Sequence, residues 1–153
     1  MNLPILILGV GNILLHDEGI GPRVIQEILQ HPLPPGVEAI DGGTGGADLV
    51  DVIADRQKVI VVDAVRSDLP PGTVLRFTDA DMLEKPASAT SLHELGLAET
   101  LMITRKLNCA PKKVVIFGIV PQTLSPPGIE LTPKIEALIP RLVRVVMEEA
   151  KEQ

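Results

Sequence analysis

Pro4-Ile5-Leu6-Ile7-Leu8-Gly9-Val10-Gly11-Asn12-Ile13-Leu14-Leu15-His16-Asp17-Glu18-Gly19-Ile20-Gly21 is the stretch on which the fold turns. Its first five residues form a near-continuous aliphatic run, as expected of a strand covered on both faces. A glycine-rich turn follows. Helical spacing then begins, with Val24, Ile25, Ile28 and Leu29 on one face of a helix from about Gly19 to Gln30. Pro22 is tolerated in the first turn of that helix, and Asp17 or Glu18 complements its positive end. Strand, tight turn and helix in this order open a parallel α/β sheet.

The rest of the chain repeats that alternation. Val37 to Ile40 reads as a second strand, Ala47 to Ala54 as a second helix, and Lys58 to Ala64 as a third strand closed by Asp63. Thr73 to Thr78 follows after only a Pro70-Pro71-Gly72 turn, too short for a helical crossover, so it should pair antiparallel at an edge. Asp79 to Ser91 is polar and without period and reads as a loop. Glu94 to Leu107 resumes helical spacing, Lys113 to Val120 makes the last strand, and Pro121 to Pro127 a proline-rich connection. The final helix should start with Thr132 as its cap and Pro133 in first position, and be kinked by Pro140. The expected fold is α/β, with residues 1–153 in a single-domain three-layer sandwich. A mostly parallel twisted sheet carries helices on both faces and one antiparallel edge strand.

A chain of 153 residues with 45% hydrophobic content can bury one substantial core. The formal net charge of -6 opposes the counterion-driven attraction to nucleic acid and to anionic lipid, so neither nucleic acid nor membrane is an expected partner. Cys109 is the single cysteine and cannot form an internal disulfide or a thiolate zinc site, which suits the cytoplasm. Leu3 to Leu15 is broken by glycines, lacks a basic lead-in and falls short of the ~20 residues a membrane helix needs.

Open α/β sheets bind ligands beyond the carboxyl ends of their strands, where the strand order reverses. In a 2-1-3 order, Glu18 follows strand one, Asp63 ends its neighbour strand three, and the two carboxylates should converge. His93, just ahead of the third helix, joins them if the preceding loop travels back across that face. Two carboxylates and one imidazole suit nickel, zinc or another divalent ion, with a coordination position left open. Each residue also has a plainer reading. Glu18 alone is a carboxylate at a helix start, and His93 alone is a capping histidine. Asp63 is harder to dismiss, because an aspartate ending a buried aliphatic strand is costly without a partner. His16 has no second residue at ligand spacing, and His31 marks the frayed end of the first helix.

Other signatures fail on their letters. The turn lacks the third glycine of a dinucleotide fingerprint, and Asp17 and Glu18 would repel a pyrophosphate. His93-Glu94-Leu95-Gly96-Leu97 has leucine where a zinc protease carries its second histidine. There is no Gly-x-Ser-x-Gly elbow, and Cys109 has no histidine nearby in sequence. Asp41-Gly42-Gly43-Thr44-Gly45-Gly46 is not the Asp-Thr-Gly of two-lobed aspartic proteases; its glycines let backbone approach something closely.

Taken together, the turn Gly9-Val10-Gly11-Asn12 with Asp17-Glu18-Gly19-Ile20-Gly21, then Asp41-Gly42-Gly43-Thr44, Val61-Val62-Asp63-Ala64 and Ser91-Leu92-His93-Glu94-Leu95-Gly96-Leu97 strongly resemble the hydrogenase maturation endopeptidases. Four motifs in that order and spacing cover nearly the whole chain. The resemblance implies an aspartyl-type endopeptidase that removes a short carboxy-terminal extension from the nickel-loaded precursor of the nickel-iron hydrogenase large subunit. It implies that Glu18, Asp63 and His93 bind the metal, the same three residues the sheet geometry selects. It also implies that Asp41, Gly42, Gly43 and Thr44 help choose the precursor. Nickel would arrive with the substrate, and the free enzyme is expected to accept another divalent ion such as zinc or cadmium. Catalysis could run through a metal-polarised carbonyl or water, or through Asp63 or Glu18 as general base. Two other classes remain open: a non-catalytic assembly chaperone that binds the nickel site, and a nucleotide-binding α/β domain suggested by the Gly9–Gly11 turn.

Overall fold

The computed structural model describes residues 2–44, 49–84, 92–122 and 127–152, except for the side chains of 82–84 and 92–96. Five strands form one sheet: β1 (Ile5–Gly9), β2 (Val37–Asp41), β3 (Lys58–Ala64), β4 (Val74–Thr78) and β5 (Lys113–Ile119), in the order β2-β1-β3-β5-β4. All pairings are parallel except β4 against β5. The helices are α1 (Ile20–Ile28), α2 (Leu49–Ile53), α3 (Asp79–Glu84), α4 (Leu92–Lys106), α5 (Pro133–Glu136) and α6 (Ile139–Lys151), with a 3-10 turn at His16–Gly19 ahead of α1.

The aliphatic strands are central because both faces of the sheet are covered. Every residue of β3 is buried, as are Leu6, Ile7 and Leu8 of β1. Side chains alternate between faces along a strand. Accordingly Ile7, Ile60, Val62, Val115 and Phe117 pack with residues of α1, α5 and α6. Leu6, Leu8, Val59, Val61, Val114 and Ile116 pack with α2 and α4. Each such aliphatic side chain contributes about 1.5–3 kcal/mol on full burial. Asp63 has the parity of Val59 and Val61, which places it on the face shared with α2 and α4.

β4 holds its expected edge place, while three other expectations need correction. β4 is the antiparallel edge strand, but β5 lies between it and β3, and the short connection crosses the end of β5: Val65 N–H donates to Ile119 O (2.9 Å) and Gly72 N–H to Val120 O (2.8 Å). Residues 79–84 are helical rather than loop. Thr78 and Asp81 form a reciprocal cap there, with Thr78 N–H donating to Asp81 Oδ2 (3.0 Å) and Asp81 N–H to Thr78 Oγ1 (3.4 Å). The last helix is two helices, with Pro140 in the first turn of α6, where its missing N–H costs nothing, rather than at a kink. The first helix likewise begins as the 3-10 turn.

The amino edge of the sheet carries a buried ion pair, Lys58 and Glu149, joined by the half-exposed Arg76. Lys58 Nζ donates to Glu149 Oε2 (2.5 Å) and to the Glu149 carbonyl (2.8 Å), while Arg76 Nε donates to Glu149 Oε1 (2.8 Å). Burial alone would raise the Glu149 carboxyl; the bonds and charges of Lys58 and Arg76 outweigh it and hold the group below its ordinary value of 4.5. Among the described residues no helix is long and apolar enough to cross a membrane.

Candidate active site at the switch point

β1 leads through α1 to β2 on one side and β3 flanks it on the other, so the strand order reverses at the carboxyl ends of β1 and β3. The turn after β1 is built tightly over that point. Val10 N–H donates to Val62 O (3.0 Å), extending the β1–β3 ladder by one bond. A β-carbon on Gly11, whose φ is +155°, would strike the carbonyl oxygen of Glu18. One on Gly21 would strike the carbonyl oxygens of Val10 and Val62. Glycine at these two positions lets the 3-10 turn and α1 sit directly against the sheet, and that turn packs on β3.

Glu18, 4% exposed, and Asp63, 2% exposed, are thereby brought to the same edge of the sheet. Carboxylates of this kind are the hard oxygen donors that divalent cations prefer and the groups that serve as general bases. Asp41 ends β2 opposite Gly9, and its Oδ1 accepts the Gly43 N–H (2.9 Å). Gly42 N–H donates to Gly9 O (2.7 Å) and Gly11 N–H to Gly43 O (2.8 Å), which stitches the Asp41–Thr44 loop to the turn after β1. Gly43 sits at φ +57° with open space where a β-carbon would stand, and Asp41 and Thr44 are exposed. Gly45 and Gly46 lie outside the described residues.

His93 belongs to the first turn of α4, and its side chain lies outside the described residues. The other end of α4 is fixed at the amino edge, where Asp55 N–H donates to Cys109 O (2.8 Å) and Lys112 N–H to Arg56 O (3.0 Å). Fifteen residues of helix, roughly 22 Å long, lead back from there along the face that Asp63 occupies. Among the described residues no three His, Cys, Asp or Glu side chains gather as a metal site. His16 is turned away: it has φ 48°, and its Nδ1–H donates to Glu130 O (2.9 Å).

Asp17 does something the sequence did not disclose. Rather than complementing a helix end, its fully buried carboxylate accepts the N–H of Gln122 (2.8 Å) and the N–H of Thr132 (2.7 Å). Thr132 stands at the cap position of α5 but gives its hydroxyl to Asp17 instead of to the helix. No local pattern pairs residue 17 with residue 132; an acidic pair in a glycine turn was the only available hint.

Comparison with known proteins agrees with this architecture. A family model described as HycI, hydrogenase maturation protease, matches residues 22–149. The hydrogenase 2 maturation protease of Escherichia coli is 40% identical over 150 residues, covering 97% of this chain and 91% of that protein. The structure of the E. coli hydrogenase maturating endopeptidase HybD superposes with a TM-score of 0.84 at 39% identity, covering 97% of this chain and 91% of the other. The NiFe hydrogenase maturation protease HybD of Thermococcus kodakarensis superposes with a TM-score of 0.81 at 26% identity, covering 99% and 100%. Since the match in sequence and in fold runs through nearly the whole chain, it belongs to the hydrogenase maturation protease family and is an endopeptidase.

Proposed function

We propose that this endopeptidase removes a short carboxy-terminal extension from the precursor of a nickel-iron hydrogenase large subunit after nickel has been inserted. The observation that carries this reading is the family match over nearly the whole chain, and the burial of Glu18, in the turn after β1, and of Asp63, in β3, supports it. In this reading nickel is part of the substrate, and Glu18, Asp63 and His93 grip it while its remaining coordination positions stay with the precursor. The exposed loop Asp41-Gly42-Gly43-Thr44, tied to the same turn, reads the precursor beside the metal. Without precursor, the same donors would take zinc or cadmium.

Hydrolysis needs a water that loses a proton, a stabilised oxyanion and a proton for the leaving amine. In this reading the carboxylate that takes the water's proton is Asp63 or Glu18, each buried toward the carboxyl end of the sheet. The substrate's nickel supplies charge for the oxyanion or for the water. The single cysteine fits work in a reducing cytoplasm. Incubating the chain with such a precursor and weighing the product tests the reading. A loss of mass equal to a carboxy-terminal peptide supports it; an unchanged mass with a stable complex would instead identify a nickel-site chaperone.

A further inference from the structure

The segments around residue 122 and from 127 to 132 are fastened to the turn that carries Glu18. Asp17 is the centre of the fastening. Its carboxylate is fully buried; Oδ2 accepts the Gln122 N–H (2.8 Å), Oδ1 accepts the Thr132 N–H (2.7 Å), and the Thr132 hydroxyl lies 3.0 Å from Oδ1 and 2.9 Å from Oδ2. The backbone adds two bonds beside it, His16 N–H to Gly128 O and Gly128 N–H to Leu14 O, both 2.8 Å. In a 3-10 turn successive side chains project about 120° apart. Holding Asp17 against the 127–132 segment therefore also fixes the direction in which Glu18 leaves the turn.

We propose that Asp17, partnered by Thr132, is a positioning residue that aims the Glu18 carboxylate at the carboxyl end of β3. The inference rests on the reading that Glu18 meets the substrate's nickel. Thr132→Val removes the hydroxyl while keeping the side chain's volume, and Thr132→Ser restores the hydroxyl. The first measurement is the carboxyl carbon resonance of Glu18 in glutamate-labelled protein, taken without metal or precursor. It should move in Thr132→Val, return in Thr132→Ser, and leave the resonances of Glu38 and Glu149 in place. The second is processing of nickel-loaded precursor, where kcat of Thr132→Val should fall about tenfold with KM within about twofold, and Thr132→Ser should recover it.

A Glu18 resonance that stays put in Thr132→Val, or moves equally in Thr132→Ser, overturns the proposal. So does an unchanged kcat alongside a moved resonance, or a fall in kcat no larger than the loss of folded protein. If the wild-type chain leaves the precursor uncut, the processing reading fails separately, and the Glu18 resonance alone decides the positioning role.

Discussion

Glu18 and Asp63 are charged groups placed where burial is costly, and neither belongs to the aliphatic packing around it. Their neutral isosteres should therefore leave the fold standing and remove the chemistry. Asp63→Asn, Glu18→Gln and His93→Ala are each expected to lower processing about a hundredfold or more, with Tm within about 4 °C of wild type. Normal cleavage by any two of them would contradict the site. Glu149 gives the opposite kind of prediction. Its carboxyl is held low in the folded state, so its stabilisation is fully present above 4.5 and is lost as pH falls through the depressed value. Glu149→Gln leaves Lys58 buried without its counter-charge and should cost about 3–5 kcal/mol near neutral pH. The difference from wild type, followed by denaturant melts, should shrink in acid; a constant difference from pH 7 to pH 3 would refute it. Glu18 and Asp63 were legible as candidates, because both stand against apolar runs. Asp17 and Lys58 were not, because the partners that explain them lie 115 and 91 residues away.

Elements with strong local periodicity were readable: β3 spans the residues its aliphatic run marks, and strand and helix alternation gave the parallel sheet, in which the assumed 2-1-3 order is found. What escaped was decided by non-local competition. The composition of β4 says that it pairs, and a short turn says that it pairs antiparallel, but nothing local says that β5 will take the place beside β3. The helix at 79–84 is short and carried by the Thr78–Asp81 cap rather than by an apolar stripe, so periodicity missed it. The turn that seats α1 has a testable tolerance. Gly21→Ala places a β-carbon against the carbonyl oxygens of Val10 and Val62 and should push α1 off the sheet. Overpacking of this kind costs about 1–3 kcal/mol. Thermal melts should show the loss, together with reduced processing, since Glu18 rides on the same turn. A Tm equal to wild type would mean that the turn is less closely seated than described.

For the whole molecule, the sheet keeps its two ends distinct. The amino edge holds the buried Lys58–Glu149 pair and the anchored end of α4, while the carboxyl edge gathers the turn after β1, the loop after β2 and the end of β3. That division leaves the Asp41–Thr44 loop and the two carboxylates toward one side of the sheet. Whether the enzyme inspects nickel on its substrate is decided by presenting the same large-subunit precursor with and without nickel and weighing the carboxyl-terminal product. Cleavage of the nickel-bearing form alone, lost with Asp63→Asn, is the predicted result. Equal cleavage of the nickel-free precursor would contradict it.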